Sequence, residues 1–375
     1  MLGNFAVATS IMAPTAMLQE VSNGLGVSIR EASYLVAFGS LVLCIGSPLT
    51  AWLTSRIDRR ILLTGCVILV ALGHFASAVM TSFCSLLAIR MVMMLAAAPY
   101  TAQAAGTVGL LVPEEKRSGA IVYVFLGWSL ALAIGLPAIT YLASRHGWQA
   151  PHLAMGALAI ISATLIAGIL PQGLKVPPLV LETWAEVFRQ PSIMLLLLLT
   201  TLLTAGQFVI ITFIGPLLIQ LAQASSDGVG FAIGLYGVMG VIGTAIATYN
   251  IRVWGVFKTA VVHTLGITCG IVVWALGAGS FAAMATGVAI WGLGFAGGSS
   301  LQQARLVSTA PLLSNATVAL NTSMLYVGQA IGASVGGLLF ERGYLVEMGY
   351  VAAACMLLSW PVFLITRPKS AAQAT

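Results

Sequence analysis

One basic side chain, Arg90, stands inside the apolar stretch LLAIRMVMML (86–95). A guanidinium in hydrocarbon costs about 2.5–3.5 kcal/mol on insertion scales, so Arg90 requires partners. Two roles fit its type and place: it bonds backbone carbonyls and tyrosines to fix the packing, or it lends positive potential to a cavity that takes anionic or neutral molecules. The carboxylates offer little by way of chemistry. Glu20, Glu31, Asp58, Glu114, Glu115, Glu182, Glu186, Asp227, Glu341 and Glu347 all fall between apolar segments or at their ends. Arg90 lies about 10 Å deep at the helical rise, within reach of Glu31 or Glu20. His74 and His263 are the histidines well inside apolar segments; such a residue either packs with a hydrogen bond or carries a proton. No Ser/His/Asp set, paired carboxylates or metal-ligand spacing occurs within these segments, so neither an enzyme nor a cofactor or metal site is expected.

Two motif matches carry no chemistry. GLGFAG (292–297) and GASVG (332–336) fit the dinucleotide fingerprint and the nucleophile elbow, but both devices need an adjoining strand, and these lie in helical segments. Gly328, Gly332 and Gly336 instead recur along one helix face, where small residues let a neighbouring backbone approach. Cys44, Cys66, Cys84, Cys269 and Cys355 are scattered through apolar runs and read as small core residues.

The elements that position these residues follow from composition. Hydrophobic residues make up 59% of the 375 and charged ones 7%, with a mean hydropathy of +1.02. Runs near 20 apolar residues recur, the length a helix needs to cross a bilayer. The fold class is therefore an all-α polytopic membrane protein, in which each span satisfies its own backbone. The basic residues form no patch on a polar domain, which excludes nucleic acid as a partner. Twelve spans are expected, at about 4–19, 31–54, 61–81, 83–112, 119–143, 151–170, 193–221, 229–250, 259–279, 281–304, 316–340 and 346–366. The split at GAGS (277–280) divides a stretch without charge.

With a cytoplasmic N-terminus, twelve Lys and Arg residues fall in inner connections and three (Arg30, Arg145, Arg342) in outer ones. Such a bias places both termini in the cytoplasm. The longest polar connection, 171–192, follows the sixth span and includes LETWAEVFRQ, read as an amphipathic surface helix. It divides the chain into a first six-helix bundle (1–170), a linker (171–192) and a second bundle (193–375).

This layout and four local stretches resemble the major facilitator superfamily, within it the drug:proton antiporter group of sugar-efflux and chloramphenicol-resistance-like exporters. AWLTSRIDRR (51–60) resembles the group's basic turn between spans 2 and 3, matching at Leu53, Arg56, Arg59 and Arg60 and departing at Ala51, Ser55 and Asp58. LLAIRMVMML is similar to the fourth-helix arginine motif. GWSLALAIGLP (127–137) resembles the fifth-helix antiporter motif, and SNATVALNTSMLYVGQAIGASVGG (314–337) the eleventh helix.

The resemblance implies two six-helix bundles rocking about a central site in a bacterial-type inner membrane. It implies a monomer that exports a small organic molecule, with protons as the coupling partner; uniport or import of a metabolite is the alternative, and a membrane sensor a weaker one. It also implies that Arg56, Asp58, Arg59 and Arg60 gate the inner side, Asp58 standing in for the acid that Ser55 replaces. Spans 1, 4, 7 and 10 line the family's cavity, which nominates Arg90, Tyr100, Gln103, Gln207, Thr212, Trp291 and Gln302 for substrate binding. Thr9 and Ser10 share that position. Because the spans hold no carboxylate, the candidates for proton coupling are His74, Glu20 and Glu31.

Overall fold

The computed structural model describes residues 1–54, 56–174, 186–310 and 313–367. Among these, every regular element is helical, and ten helices are long and apolar enough to cross a membrane. One of the ten, Ser226–Leu276, reverses at Gly255, whose φ of 75° belongs to the left-handed region, and so serves as spans 8 and 9. Span 1 is a broken pair, Leu2–Ala16 and Leu18–Leu25. The other spans are Ile29–Leu53 (2), Arg59–Ala78 (3), Phe83–Ala97 with Tyr100–Leu111 (4), Gln149–Ile169 (6), Pro191–Ile211 with Ile214–Ala222 (7), Phe281–Thr309 (10), Ser314–Glu341 (11) and Leu345–Ile365 (12). Span 5 joins Glu114–Leu130 to Leu136–His146 through a π-turn at Ala131–Gly135. Twelve crossings return both chain ends to one side, here the terminal face; the other is the far face.

The split at 277–280 is where the chain turns: Gly279 has φ 97°, and the Ser280 side chain caps span 10. Other expectations need correction. Span 10 runs on to Thr309, which puts Arg305 inside a helix and not in a connection. Of the five cysteines only Cys66 is buried, and Cys84 and Cys269 face outward. The expected linker helix LETWAEVFRQ (181–190) lies half outside the described residues, at 181–185; of its second half, Glu186–Phe188 is helical.

Within the first half span 3 packs along span 6 and span 1 against span 5; within the second, spans 8 and 9 pack on span 10 and span 7 on spans 11 and 12. Gly328, Gly332 and Gly336 lie against the backbone of span 7 at Thr201, Ala205 and Val209, as their spacing predicts. The halves meet where span 2 runs along span 11 and span 5 along span 8.

Prolines organise these contacts. A proline has no N–H, so the carbonyl four residues earlier loses its helical partner and, in hydrocarbon, must find another. Pro14 frees Ser10, whose carbonyl accepts from Arg90 at 2.6 Å. Pro48 frees Cys44, whose carbonyl accepts from the Ser323 hydroxyl of span 11 at 3.0 Å. The second bond joins the two halves.

Candidate functional site

A cavity lies between the halves, lined by Met12 and Thr15 of span 1, Leu132 and Leu136 of span 5, Phe208, Ile211 and Ile214 of span 7, Ile233 and Tyr236 of span 8, and Phe295 of span 10. Helix breaks shape it. Span 1 breaks at Met17, span 5 passes through its π-turn, and span 7 breaks around Thr212 and Phe213. The lining is apolar apart from Thr15 and Tyr236, and the Thr15 hydroxyl already donates to the Met12 carbonyl at 2.6 Å. Toward the far face a second crevice between the halves runs past Glu20, Thr140 and Pro216. There Arg30 at the start of span 2 pairs with Glu341 at the end of span 11, the ion pair found among the described residues.

Of the residues nominated for substrate binding, the structure brings two together: the Trp291 indole N–H donates to Gln207 Oε1 at 2.7 Å. Trp291 is fully buried and meets the Tyr236 ring edge-on, with centroids 5.1 Å apart. Tyr236 in turn leans on Phe295 at 5.2 Å. Gln207 and Trp291 thus stand directly behind the aromatic wall of the cavity. The Gln207 amide N–H donates to the Leu203 carbonyl at 2.8 Å, which leaves this side chain held at both ends. Thr212 is buried at the break of span 7, and its hydroxyl has no hydrogen-bond partner among the described residues.

The remaining nominees sit apart from the cavity lining. Arg90 is 5% exposed and donates to the Ser10 and Ile11 carbonyls at 2.6 Å each, with a longer contact of 3.4 Å to Leu35. Its partners are therefore three carbonyls and not Glu31 or Glu20. Glu31 instead closes a capping box with Ser28. Hydrogen bonds from a charged donor are worth about 1.5–3 kcal/mol each, so the two short ones are of the same size as the insertion cost. Tyr100 is buried, and its hydroxyl end occupies the space beside Gly3. Gln103 is half-buried one turn further along. Gln302 donates to the Leu196 carbonyl at 2.8 Å and accepts from Arg305 at 3.2 Å, near the terminal face.

The basic turn between spans 2 and 3 is tied to the chain after span 6. Asp58 accepts from the backbone N–H groups of Arg60 and Ile61 at the start of span 3 and from Gly173, while the Arg59 N–H donates to the Leu174 carbonyl at 3.0 Å. Partial burial opposes ionisation of Asp58, but the backbone donors of Gly173, Ile61, Arg60 and Leu174 outweigh it and hold the carboxyl below its usual range. Arg59 is buried, Arg60 half-buried and Arg56 exposed. Ser55 lies outside the described residues.

Three features escaped sequence reasoning. Tyr236 and Phe295 form the cavity's aromatic wall, but single aromatics in apolar runs carry no signal. Arg305 is 4% exposed, stacked on Phe363 with its guanidinium 4.3 Å from the ring centroid and bonded to Thr366. His152, three residues into span 6, faces His74; its nearness to a connection hid it.

Twelve spans in two packed halves, a cavity between them and helix breaks at that cavity define a membrane transporter. Residues 1–319 match the Major Facilitator Superfamily, and the chain belongs to that family. It is 28% identical to a chloramphenicol resistance protein of Streptomyces lividans, covering 99% of this chain and 96% of that one. It is 24% identical to a probable sugar efflux transporter of Mannheimia succiniciproducens, over 93% and 88% of the two chains, and 28% identical to the inner membrane transport protein YdhP of Escherichia coli, over 98% and 95%. Among solved structures it is similar to a POT family transporter in complex with 5-aminolevulinic acid, at a TM-score of 0.80, 13% identity and coverage of 98% and 96%. A bacterial homolog of the lysosomal transporter Spinster in an inward-facing conformation gives 0.72, at 16% identity and coverage of 99% and 98%.

Proposed function

We propose that this protein is a secondary transporter that exports a small, neutral, largely apolar organic molecule across a bacterial inner membrane. The observation that carries this reading is the cavity between the halves, whose ten lining residues include no charged side chain. A sugar brings many hydroxyls, and each buried without a partner costs about 1–3 kcal/mol; this lining has only two polar residues, Thr15 and Tyr236, and the Thr15 hydroxyl is already engaged. Arg90 and Arg305, the buried arginines on spans 4 and 10, are engaged by carbonyls and by Thr366 and Gln302, so neither reaches out to an anion. The names of the relatives, efflux and resistance proteins, favour export.

The two halves, 1–170 and 193–375, rock as bodies about the cavity, in the manner general to transporters of repeated architecture. Gln207 and Trp291 hold the aromatic wall that binds substrate, and the turn at Arg56, Asp58, Arg59 and Arg60 gates the terminal face. The excess of Lys and Arg there makes that face cytoplasmic. The test is a deletion strain and an overexpressing strain grown on chloramphenicol and on arabinose, with cell content of each measured. Lower chloramphenicol content on overexpression, with arabinose unchanged, is expected; lower arabinose content alone, or higher content of both compounds, overturns the reading.

A further inference from the structure

His74 of span 3 and His152 of span 6 face each other inside the first half, Nδ1 to Nδ1, at 2.9 Å. They are 0% and 5% exposed. The surrounding bonds fix where their protons sit. The Ser10 hydroxyl of span 1 donates to the Ala6 carbonyl at 2.7 Å, so it accepts from His74 Nε2, also at 2.7 Å. His74 is then the Nε2–H form and its Nδ1 is bare, which requires His152 to donate from Nδ1. Nε2 of His152 is left as the pair's one nitrogen without a hydrogen-bond partner among the described residues. Trp148, at the far-face start of span 6, covers that ring edge-on at 5.9 Å.

We propose that this histidine pair is a proton-binding site holding one exchangeable proton, and that this is the proton exchanged for substrate; the second clause rests on the exporter reading above. A proton added at His152 Nε2 makes that ring an imidazolium and turns its Nδ1–H bond to His74 into a charge-assisted one, with no atom displaced. A second proton would set two N–H groups head to head at 2.9 Å, so the pair holds one and not two.

The charged group bearing on the pair is Arg90 of span 4, which holds the Ser10 carbonyl while His74 holds the Ser10 hydroxyl. Span 1 presents Ser10 and span 6 Trp148; neither brings a charge. Like charges repel across the Ser10 residue, more strongly in a low-dielectric interior than in water. A loaded pair therefore loosens Arg90 from span 1 at the turn before Met12 and Thr15, which line the cavity. Proton and substrate thereby act on the same segment.

The test begins with the full chain in lipid nanodiscs, its histidines labelled with nitrogen-15 and assigned from H74Q and H152Q. Between about pH 8 and about pH 5, the range in which imidazole ordinarily titrates, both rings should change together in one step that takes up one proton. In H74Q, His152 should titrate as a lone ring. Rings that stay neutral throughout, or that titrate independently, overturn the proton site. In proteoliposomes with a pH dye inside, the wild type should move one proton per chloramphenicol. H74Q and H152Q should carry chloramphenicol only down its own gradient, with no proton moved; proton exchange surviving in both overturns the coupling role. A wild type that moves no chloramphenicol counts against the substrate reading, and the spectra then decide the pair.

Discussion

The Arg90 guanidinium donates to the Ser10 and Ile11 carbonyls at 2.6 Å each, on the turn of span 1 that Pro14 leaves short of an N–H donor. A costly side chain on one helix thus repairs a defect in another, and the repair belongs to the segment that lines the cavity. Replacing Arg90 by Leu removes the cation but strands the Ser10 carbonyl, at a cost of about 1–3 kcal/mol. Lys in its place carries its three donors on a single nitrogen and lacks the planar fork whose two nitrogens reach the two carbonyls. Both variants should unfold at lower temperature in detergent. Pro14→Ala restores the missing N–H, so adding it to Arg90→Leu should recover much of the loss. A double variant no more stable than Arg90→Leu alone would separate Arg90 from the proline.

The second proline-freed carbonyl gives a prediction about motion. Ser323 of span 11 donates to Cys44 of span 2 across the boundary between the halves. Interhelical polar bonds in membranes average about 0.6 kcal/mol, enough to shift a two-state population roughly threefold. Ser323→Ala should therefore move the distribution of distances between spin labels on the two halves toward the state in which spans 2 and 11 part. An unchanged distribution would show that the bond persists in every state.

At the far face, Arg30 and Glu341 pair across the same two spans while both side chains remain partly in water. Exposed pairs of this kind contribute little, because water screens them, and they weaken further with salt. Arg30→Glu should favour separation of the far face, and Arg30→Glu with Glu341→Arg should restore the wild-type distribution. Label accessibility at the far face, read at low and high salt, measures both; equal accessibility of wild type and Arg30→Glu at low salt would exclude a latch.

The tie between Asp58 and Gly173 carries a pH dependence. Its backbone donors hold the carboxyl below its ordinary value, so the ionised form is the one the fold prefers. The stabilisation is complete above the unfolded value, about 3.9, and is lost as pH falls through the lower folded value. Asp58→Asn should lower thermal stability at neutral pH and flatten its acid dependence. An acid profile identical to that of wild type would assign that dependence to other groups.

Much of the architecture was legible because hydrocarbon makes length and apolarity sufficient signals. The turn at 277–280, the tie of glycines 328, 332 and 336 to a neighbouring backbone, and the two halves all follow from local composition. The site was less legible, since it depends on which helix faces which. Gln207 and Trp291 are 84 residues apart and meet at 2.7 Å, and His74 finds His152 across 78 residues. Arg90 was recognisable as a residue in need of partners. That the Ser10 carbonyl is one of them follows from Pro14, four residues beyond it, whereas the Ile11 and Leu35 carbonyls have no such signal in the sequence.

Gly237 gives the most direct test of rocking. It lies where span 8 crosses the π-turn of span 5, and a Cβ placed on it would come within 2.3 Å of the Ala133 nitrogen and the Leu132 carbonyl carbon. Those are backbone atoms and cannot swing aside, so Gly237→Ala must push the halves apart at this crossing. The neighbouring backbone also bears the cavity residue Leu132, so separation here opens one side of the cavity. By contrast, a Cβ on Gly266 of span 9 meets only the Ile290 carbonyl oxygen at 3.9 Å, an ordinary contact. Alanine is the better helix former by about 1 kcal/mol, so Gly266→Ala controls for the loss of glycine itself. Transport should fall sharply in Gly237→Ala at normal expression and stay near wild type in Gly266→Ala. Spin labels across spans 5 and 8 should report a wider separation in the first variant alone; full transport by Gly237→Ala would mean that the halves do not bear on one another at this crossing during the cycle.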